Sequence, residues 1–209
     1  MTSHPPPPWT LRGDAIAVPL FLPRRRVVIS PPLSAAVPGP RVPAVVVAAR
    51  YGPGSSLVYD ELAVLVCVRH GARLGVQIAG LWVDEPASVE GGRSIWGLAK
   101  ELARFEWADE AGAVRVAIHA DGEPLARFRA RPLGPAIPLP FPLALRVFQV
   151  RAGRVESFRV RLQARVRAAV VSPATGAESR GGGVLAGARV GPGFAFERLD
   201  ARVFPPGPA

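Results

Sequence analysis

Phe158-Arg159-Val160-Arg161-Leu162-Gln163-Ala164-Arg165-Val166-Arg167-Ala168 alternates apolar and polar residues without a break. A period of two sets Phe158, Val160, Leu162, Ala164 and Val166 on one face and the arginines with Gln163 on the other, which predicts a long antiparallel strand with one side on a core. Leu125-Ala126-Arg127-Phe128-Arg129-Ala130-Arg131 repeats the pattern, and Val114-Arg115-Val116-Ala117-Ile118 extends it. Between those two lies Ala120-Asp121-Gly122-Glu123, and Asp-Gly is a strong signal for a two-residue turn, so residues 113–131 read as a hairpin.

Ala44 to Ala49, Leu62 to Val68 and Val76 to Val83 are apolar runs of strand length without alternation, with Gly71 and Gly75 bracketing the turn between the last two. Strands of this kind must be covered on both faces. Val184 to Val190 and Phe194 to Val203 read as the final strands. They follow Gly181-Gly182-Gly183, which leads into no helix and therefore reads as a turn, not a phosphate loop. The 24 prolines and 22 glycines disfavour long helices. The expected fold class is all-β, or β-rich α+β, with one or two short helices. One helix is predicted from about Ser94 to Phe105, with Ser94 as its cap and Ile95, Leu98, Leu102 and Phe105 as its apolar stripe.

A chain of 209 residues suits one domain. Pro5 to Pro8 make residues 1–12 an extended arm, residues 13–204 the domain and 205–209 a tail. The arm lacks the basic start and apolar run of a secretory signal, and no apolar stretch is long enough for a membrane helix. The single cysteine, Cys67, rules out an internal disulfide and fits a reducing compartment, so a cytoplasmic location is expected. The net charge of +10 permits contact with polyanions. Its arginines are scattered, however, and the face carrying Arg159, Arg161, Arg165 and Arg167 lacks the aromatic residues that stack bases, so no specific nucleic-acid partner is expected. His4, His70 and His119 have no metal-ligand spacing, and no serine-nucleophile or dinucleotide motif is present, so neither metal nor cofactor is expected.

Lys100 is the only lysine; every other one of the 26 basic residues is arginine. Arginine replaces lysine for surface charge and anion pairing, but it stays protonated and cannot act as an amine nucleophile. Retention of one lysine therefore makes it a candidate for imine chemistry, with the amine activated by burial or by neighbouring charge; the other reading of the count is an exposed helix lysine left by chance.

The residues around it resemble a known family. Trp82-Val83-Asp84-Glu85-Pro86-Ala87-Ser88-Val89-Glu90-Gly91-Gly92-Arg93-Ser94-Ile95-Trp96-Gly97-Leu98-Ala99-Lys100 is similar to the central motif of the acetoacetate decarboxylase superfamily: an acidic-Pro-Ala segment, Gly-Arg, and a Schiff-base lysine eight residues after the glycine, here Gly92 and Lys100. Upstream, Tyr51-Gly52-Pro53-Gly54-Ser55-Ser56-Leu57-Val58-Tyr59-Asp60-Glu61 matches the family's small-residue loop, aromatic residue and active-site glutamate, which places Glu61 at that glutamate. Pro7-Pro8-Trp9-Thr10-Leu11-Arg12-Gly13 also resembles the family's opening. The resemblance implies an antiparallel barrel or cone, an oligomer of identical chains, and a lyase in which Lys100 condenses with a small keto acid or ketone, with Glu61 as acid or base. Trp82, Trp96 and Arg93 are candidates for binding the substrate, although Arg93 also suits a cap or a pairing with Asp84 or Glu85.

Three positions depart from the family pattern. Ala99-Lys100-Glu101 stands where the decarboxylases carry Pro-Lys-Lys, so an anion replaces the neighbouring cation. The second carboxylate of the family falls on Val45-Val46-Val47, and its early arginine has only Arg12 and Arg24 to Arg26 nearby. Two further readings follow: imine chemistry of aldolase or dehydratase type without decarboxylation, and a noncatalytic small-molecule pocket of the same fold.

Overall fold

The computed structural model describes residues 4–173, 185 and 188–209. Strands β1 (Trp9–Pro23), β2 (Ser34–Ala35), β3 (Arg41–Tyr51), β4 (Tyr59–His70) and β5 (Arg73–Val83) precede helix α1 (Pro86–Trp96). After it come β6 (Lys100–Leu102), β7 (Arg104–Glu110), β8 (Ala113–Ala120), β9 (Glu123–Pro132), β10 (Ile137–Pro138), β11 (Leu143–Arg151), β12 (Arg154–Pro173), β13 (Arg189–Val190), β14 (Gly193–Val203) and β15 (Gly207–Pro208). The β-rich class is as expected. The triple glycine and residues 184, 186 and 187 of the expected penultimate strand lie outside the described residues.

Seven strands close into a barrel in the order β11-β5-β4-β3-β1-β14-β12, with β12 returning to β11. The β5–β11 pair is parallel and the rest are antiparallel, so the barrel is mixed, not purely antiparallel. Bulges supply the curvature that closure needs. One falls at Arg198 of β14, whose φ of 50° is left-handed and whose N–H is taken by Asp14 Oδ1 at 3.1 Å.

The alternating stretch at 158–168 lies in β12, which at 20 residues is long enough to serve two sheets. Its first part pairs with β11 and β14 in the barrel, and its last residues pair with β9. From there β9, β8 and β7 form an outer layer. The predicted hairpin is present as β8 and β9, and Asp121 (φ 53°) and Gly122 (φ 81°) both adopt the left-handed conformation its two-residue turn requires.

The non-alternating strands are covered on both faces, as their composition demands. Val46, Leu62, Val64 and Val66 point out of the barrel and pack against Val116, Ile118 and Phe128 of the outer layer. Their neighbours in sequence, Val45, Val47, Ala63 and Leu65, point inward and line a cavity. On β12, Arg165 and Arg167 donate to the carbonyls of Ala136 and Gly134, so this arginine face binds a strap of the protein's own chain.

Residues 9–12, expected in the arm, belong to β1, where Trp9 pairs with Val203 and Leu11 with Ala201. Gly207 and Pro208 of the expected tail pair with Ser157 and Glu156. No helix among the described residues is long and apolar enough to cross a membrane.

The helix differs most from expectation. It covers Pro86–Trp96, and Leu98, Leu102 and Phe105 lie beyond it, the last two in β6 and β7. Glu85 caps its start by accepting the Ala87 N–H at 2.9 Å, with Pro86 in the first turn, and Gly97 ends it at φ 65°. These start and stop signals outweigh the three- and four-residue spacing across Gly97 that predicted a helix to Phe105.

Asp60 ties the barrel to the outer layer. Its Oδ2 accepts the Trp107 Nε1 proton at 2.8 Å, and its N–H is bound by Asp84 Oδ1 at 2.7 Å. Burial, reinforced by the Asp84 charge and opposed by the Trp107 hydrogen bond and Arg50, pushes the Asp60 carboxyl up to about 6. A carboxyl raised on folding is held more tightly protonated in the native state, so its contribution is greatest below the unfolded value of ~4 and falls away as pH rises through about 6. Asp60→Asn keeps an acceptor for Trp107 and removes the charge. Its stability relative to the parent is expected to improve between pH 4 and 7 by roughly 1 kcal/mol, a figure reduced for the solvent that reaches this half-exposed group. Urea midpoints across that range check it; a pH-independent loss would instead assign Asp60 a purely hydrogen-bonding role.

Candidate active site

Lys100 opens β6, which runs parallel to β5 with Leu81 opposite Lys100 and Trp82 opposite Glu101. Strand parity then decides where each side chain goes. Leu81 and Lys100 face the cavity, whereas Trp82 and Glu101 face the other way, where Trp82 Nε1 donates to Glu101 Oε2 at 3.1 Å. Glu101, the anion that replaces a cation beside the lysine, is therefore engaged away from the cavity, and Trp82 does not line it.

The lysine is buried with 4% of its surface exposed, in a cavity of about 440 Å³ inside the barrel. Nζ donates to Glu61 Oε2 at 3.2 Å and to Ser88 Oγ at 3.0 Å. Glu61 comes from β4 and is held from both sides: Tyr51 Oη donates to Oε1 at 3.4 Å and Tyr59 Oη to Oε2 at 3.3 Å. Lys100 Nζ also lies 5.1 Å from the centre of the Tyr59 ring and 5.9 Å from that of Trp9. Burial first, and then the Glu61 charge, drive both tyrosine hydroxyls well above their ordinary values. They therefore remain neutral donors to the carboxylate.

The sequence path to this cluster is short. Tyr59 and Glu61 are two apart on β4 and share a face, and Tyr51 sits opposite Tyr59 in the β3–β4 register. Ser88 is on the first turns of α1, and Gly92, on the same helix, lies against the lysine stem. A Cβ at Gly92 would fall 2.6 Å from Lys100 Cδ and 2.8 Å from Cε. The eight-residue interval from glycine to lysine thus has a steric origin: α1 runs past the amine, and only hydrogen fits between them.

The structure brings Lys100, Glu61 and Trp96 of the candidate residues to one cavity. Trp96 lines it with its Nε1 bound to the Phe204 carbonyl at 2.8 Å. Arg93 is exposed and donates to the backbone carbonyl of Lys100 at 2.6 Å, so it steadies the β6 backbone from outside the cavity. Tyr51, Tyr59 and Ser88 were missed as site residues, although strand parity from Glu61 identifies Tyr59. Arg12 pairs with Asp200 at 3.0 Å on the exposed side, and Arg24 to Arg26 form an exposed turn of 3-10 helix. Val45 and Val47, in the stretch where no acid stands, present only methyl groups to the cavity.

The protein-family model for acetoacetate decarboxylase matches residues 25–165, more than half of the chain. None of the curated proteins matches it. Among solved structures, an acetoacetate decarboxylase from Legionella pneumophila superposes with a TM-score of 0.69 at 15% identity, covering 98% of this chain and 88% of that one. The enduracididine biosynthesis enzyme MppR, solved in complex with pyruvate, gives 0.65 at 18% identity over 97% of this chain and 90% of its own. An acetoacetate decarboxylase-like enzyme from Sphingomonas wittichii gives 0.65 at 17% identity, with coverages of 97% and 91%. At these identities the likeness concerns the fold alone, while the family model matches the sequence itself over residues 25–165. The chain belongs to the acetoacetate decarboxylase family.

Proposed function

We propose that this protein is a Schiff-base-forming lyase in which Lys100 condenses with the carbonyl group of a small ketone or keto acid and Glu61 carries the protons. The observation that supports this reading most directly is the pairing of the only lysine, which is buried, with a partly buried carboxylate inside an apolar cavity. MppR, of the same fold, was solved with pyruvate and also with the condensation product of pyruvate and imidazole 4-carboxaldehyde, so a related barrel admits a small carbonyl compound.

The reaction starts from Lys100 and Glu61 as a salt bridge, 3.2 Å apart. Transfer of a proton from Lys100 to Glu61 frees the Nζ electron pair, which attacks the carbonyl carbon; a C–N bond forms and the carbonyl π electrons move to oxygen. Glu61 then returns a proton to that oxygen, takes one from the nitrogen, which is now cationic, and passes it to the hydroxyl, so that the C–O bond breaks with loss of water and the freed nitrogen pair forms the iminium C=N bond. Glu61 ends as a carboxylate beside the iminium cation, so charge is conserved within the pair. The iminium withdraws electrons from the α-carbon, where the bond that breaks is either to a carboxylate, released as carbon dioxide, or to hydrogen, with Glu61 as base. Tyr51 and Tyr59 hold the carboxylate in position at both stages.

Borohydride reduction in the presence of carbonyl compounds tests this. The expected result is a single stable adduct, located by peptide mass at Lys100. Absence of an adduct with every ketone, aldehyde and keto acid tried would leave the noncatalytic pocket as the reading.

A further inference from the structure

The cavity beyond the amine has a property that imine chemistry does not require. Among the described residues that line it, Lys100 and Glu61 are the only charged ones, and no arginine is present. The neutral donors are already committed. Tyr51 and Tyr59 donate to Glu61, Trp96 Nε1 to the Phe204 carbonyl, and Trp9 Nε1 to the Pro5 carbonyl at 2.9 Å. The remaining lining is hydrocarbon from all seven strands of the barrel, including Val45, Val47, Leu65 and Leu162. At about 440 Å³ the space would hold roughly fifteen water molecules of ~30 Å³ each, well beyond what a three- or four-carbon keto acid fills.

A carboxylate in this cavity would have no partner of its own. Glu61 already balances the lysine, and it balances the iminium in turn, so a substrate carboxylate would add an unpaired negative charge to an apolar enclosure. An ionised group there loses its hydration without compensation. Hydrocarbon, by contrast, gains from burial with every methylene.

We infer that the cavity selects an uncharged ketone or aldehyde bearing a hydrocarbon chain, and excludes free keto acids. This rests on the imine reading for its chemistry but not for its binding preference. Lys100 Nζ adds to the neutral carbonyl, water departs as described above, and the chain lies along the valine and leucine walls. With no carboxylate on the substrate there is no carbon dioxide to release, so the α C–H bond is the one that breaks, its electron pair entering the enamine and its proton passing to Glu61.

The test compares each 3-oxo acid with its own methyl ester, from the acetoacetate pair to the 3-oxodecanoate pair, together with 2-alkanones of increasing length. Reduction by borohydride and intact mass report imine formation; quenching of tryptophan fluorescence in the unmodified protein reports binding with or without an imine. The expected result is labelling by esters and alkanones, at least a hundredfold weaker labelling by the matching acids, and a half-saturating concentration that falls about fourfold per added methylene until the cavity is full. Acids that label as well as their esters would overturn the inference while leaving Lys100 as the imine-forming residue. Esters and alkanones that bind in preference to acids but are never trapped would uphold the selectivity and reject the imine. No binding by any member of the series would reject both.

Discussion

Lys100→Met is expected to abolish the borohydride adduct completely, and Lys100→Arg to abolish it equally, since a guanidinium keeps a positive charge but offers no nucleophilic amine. Because the chain has one lysine, the parent protein can show an adduct only there or at its α-amino group, and peptide mapping separates the two. The methionine variant should also be less stable. It leaves the partly buried Glu61 without its counter-ion, and orphaning one partner of a fully buried pair costs about 3–5 kcal/mol. The low end applies here, because the hydroxyls of Tyr51 and Tyr59 still solvate the carboxylate. Adding Glu61→Gln should therefore recover most of the loss, making the double variant more stable than the sum of the single ones predicts. Urea midpoints of the four proteins measure the coupling. Strict additivity would mean that the two side chains do not interact in solution and would remove the proton carrier from the proposed chemistry.

How far the sequence disclosed this arrangement depended on periodicity and its limits. The alternation at 158–168 implied a two-faced strand, and β12 has that form. The runs at 44–49 and 62–68 implied coverage on both faces without saying what would cover them. One side is the outer layer and the other is a cavity, a difference invisible to a pattern that counts only hydrophobicity. Spacing of three and four misled at Leu98, Leu102 and Phe105, because apolar residues recur at those intervals by chance where a helix has already ended. The Glu85-Pro86 start and the Gly97 stop were the better guides. Placing Lys100 on a strand changes its neighbours in a definite way: Glu101 moves to the opposite face, and so does Trp82 across the β5 register. The same parity applied from Glu61 reaches Tyr59 two residues earlier. Tyr51 needed the β3–β4 register as well, which is a long-range fact that local pattern does not contain.

Gly91→Ala and Gly92→Ala, one residue apart on α1, are expected to fail in different ways. Alanine is favoured over glycine within a helix by about 1 kcal/mol, so both substitutions gain the same local term. At Gly91 the new Cβ would stand 2.5 Å and 2.6 Å from ring carbons of Trp9, a fully buried indole that is itself fixed by its bond to Pro5. A rigid ring has no low-energy escape, and overpacking of this kind costs about 1–3 kcal/mol, enough to cancel or exceed the helix gain. At Gly92 the Cβ would meet the Cδ and Cε of Lys100 instead, a flexible stem that can rotate aside. Gly92→Ala should thus lose less stability than Gly91→Ala, the helix gain offsetting part of what a weakened Lys100–Glu61 pair costs. Its cost falls on chemistry, because a stem that moves by about an ångström takes Nζ out of line with Glu61 and Ser88, and misplacement on that scale is worth about a hundredfold in rate. Trapping kinetics and urea midpoints on the two variants separate these outcomes: markedly slower imine formation with the smaller loss of stability for Gly92→Ala, and the larger loss of stability for Gly91→Ala. A Gly92→Ala protein that traps substrate at the parental rate would show that the close approach of α1 does not position the amine, and that its contacts with Glu61 and Ser88 suffice.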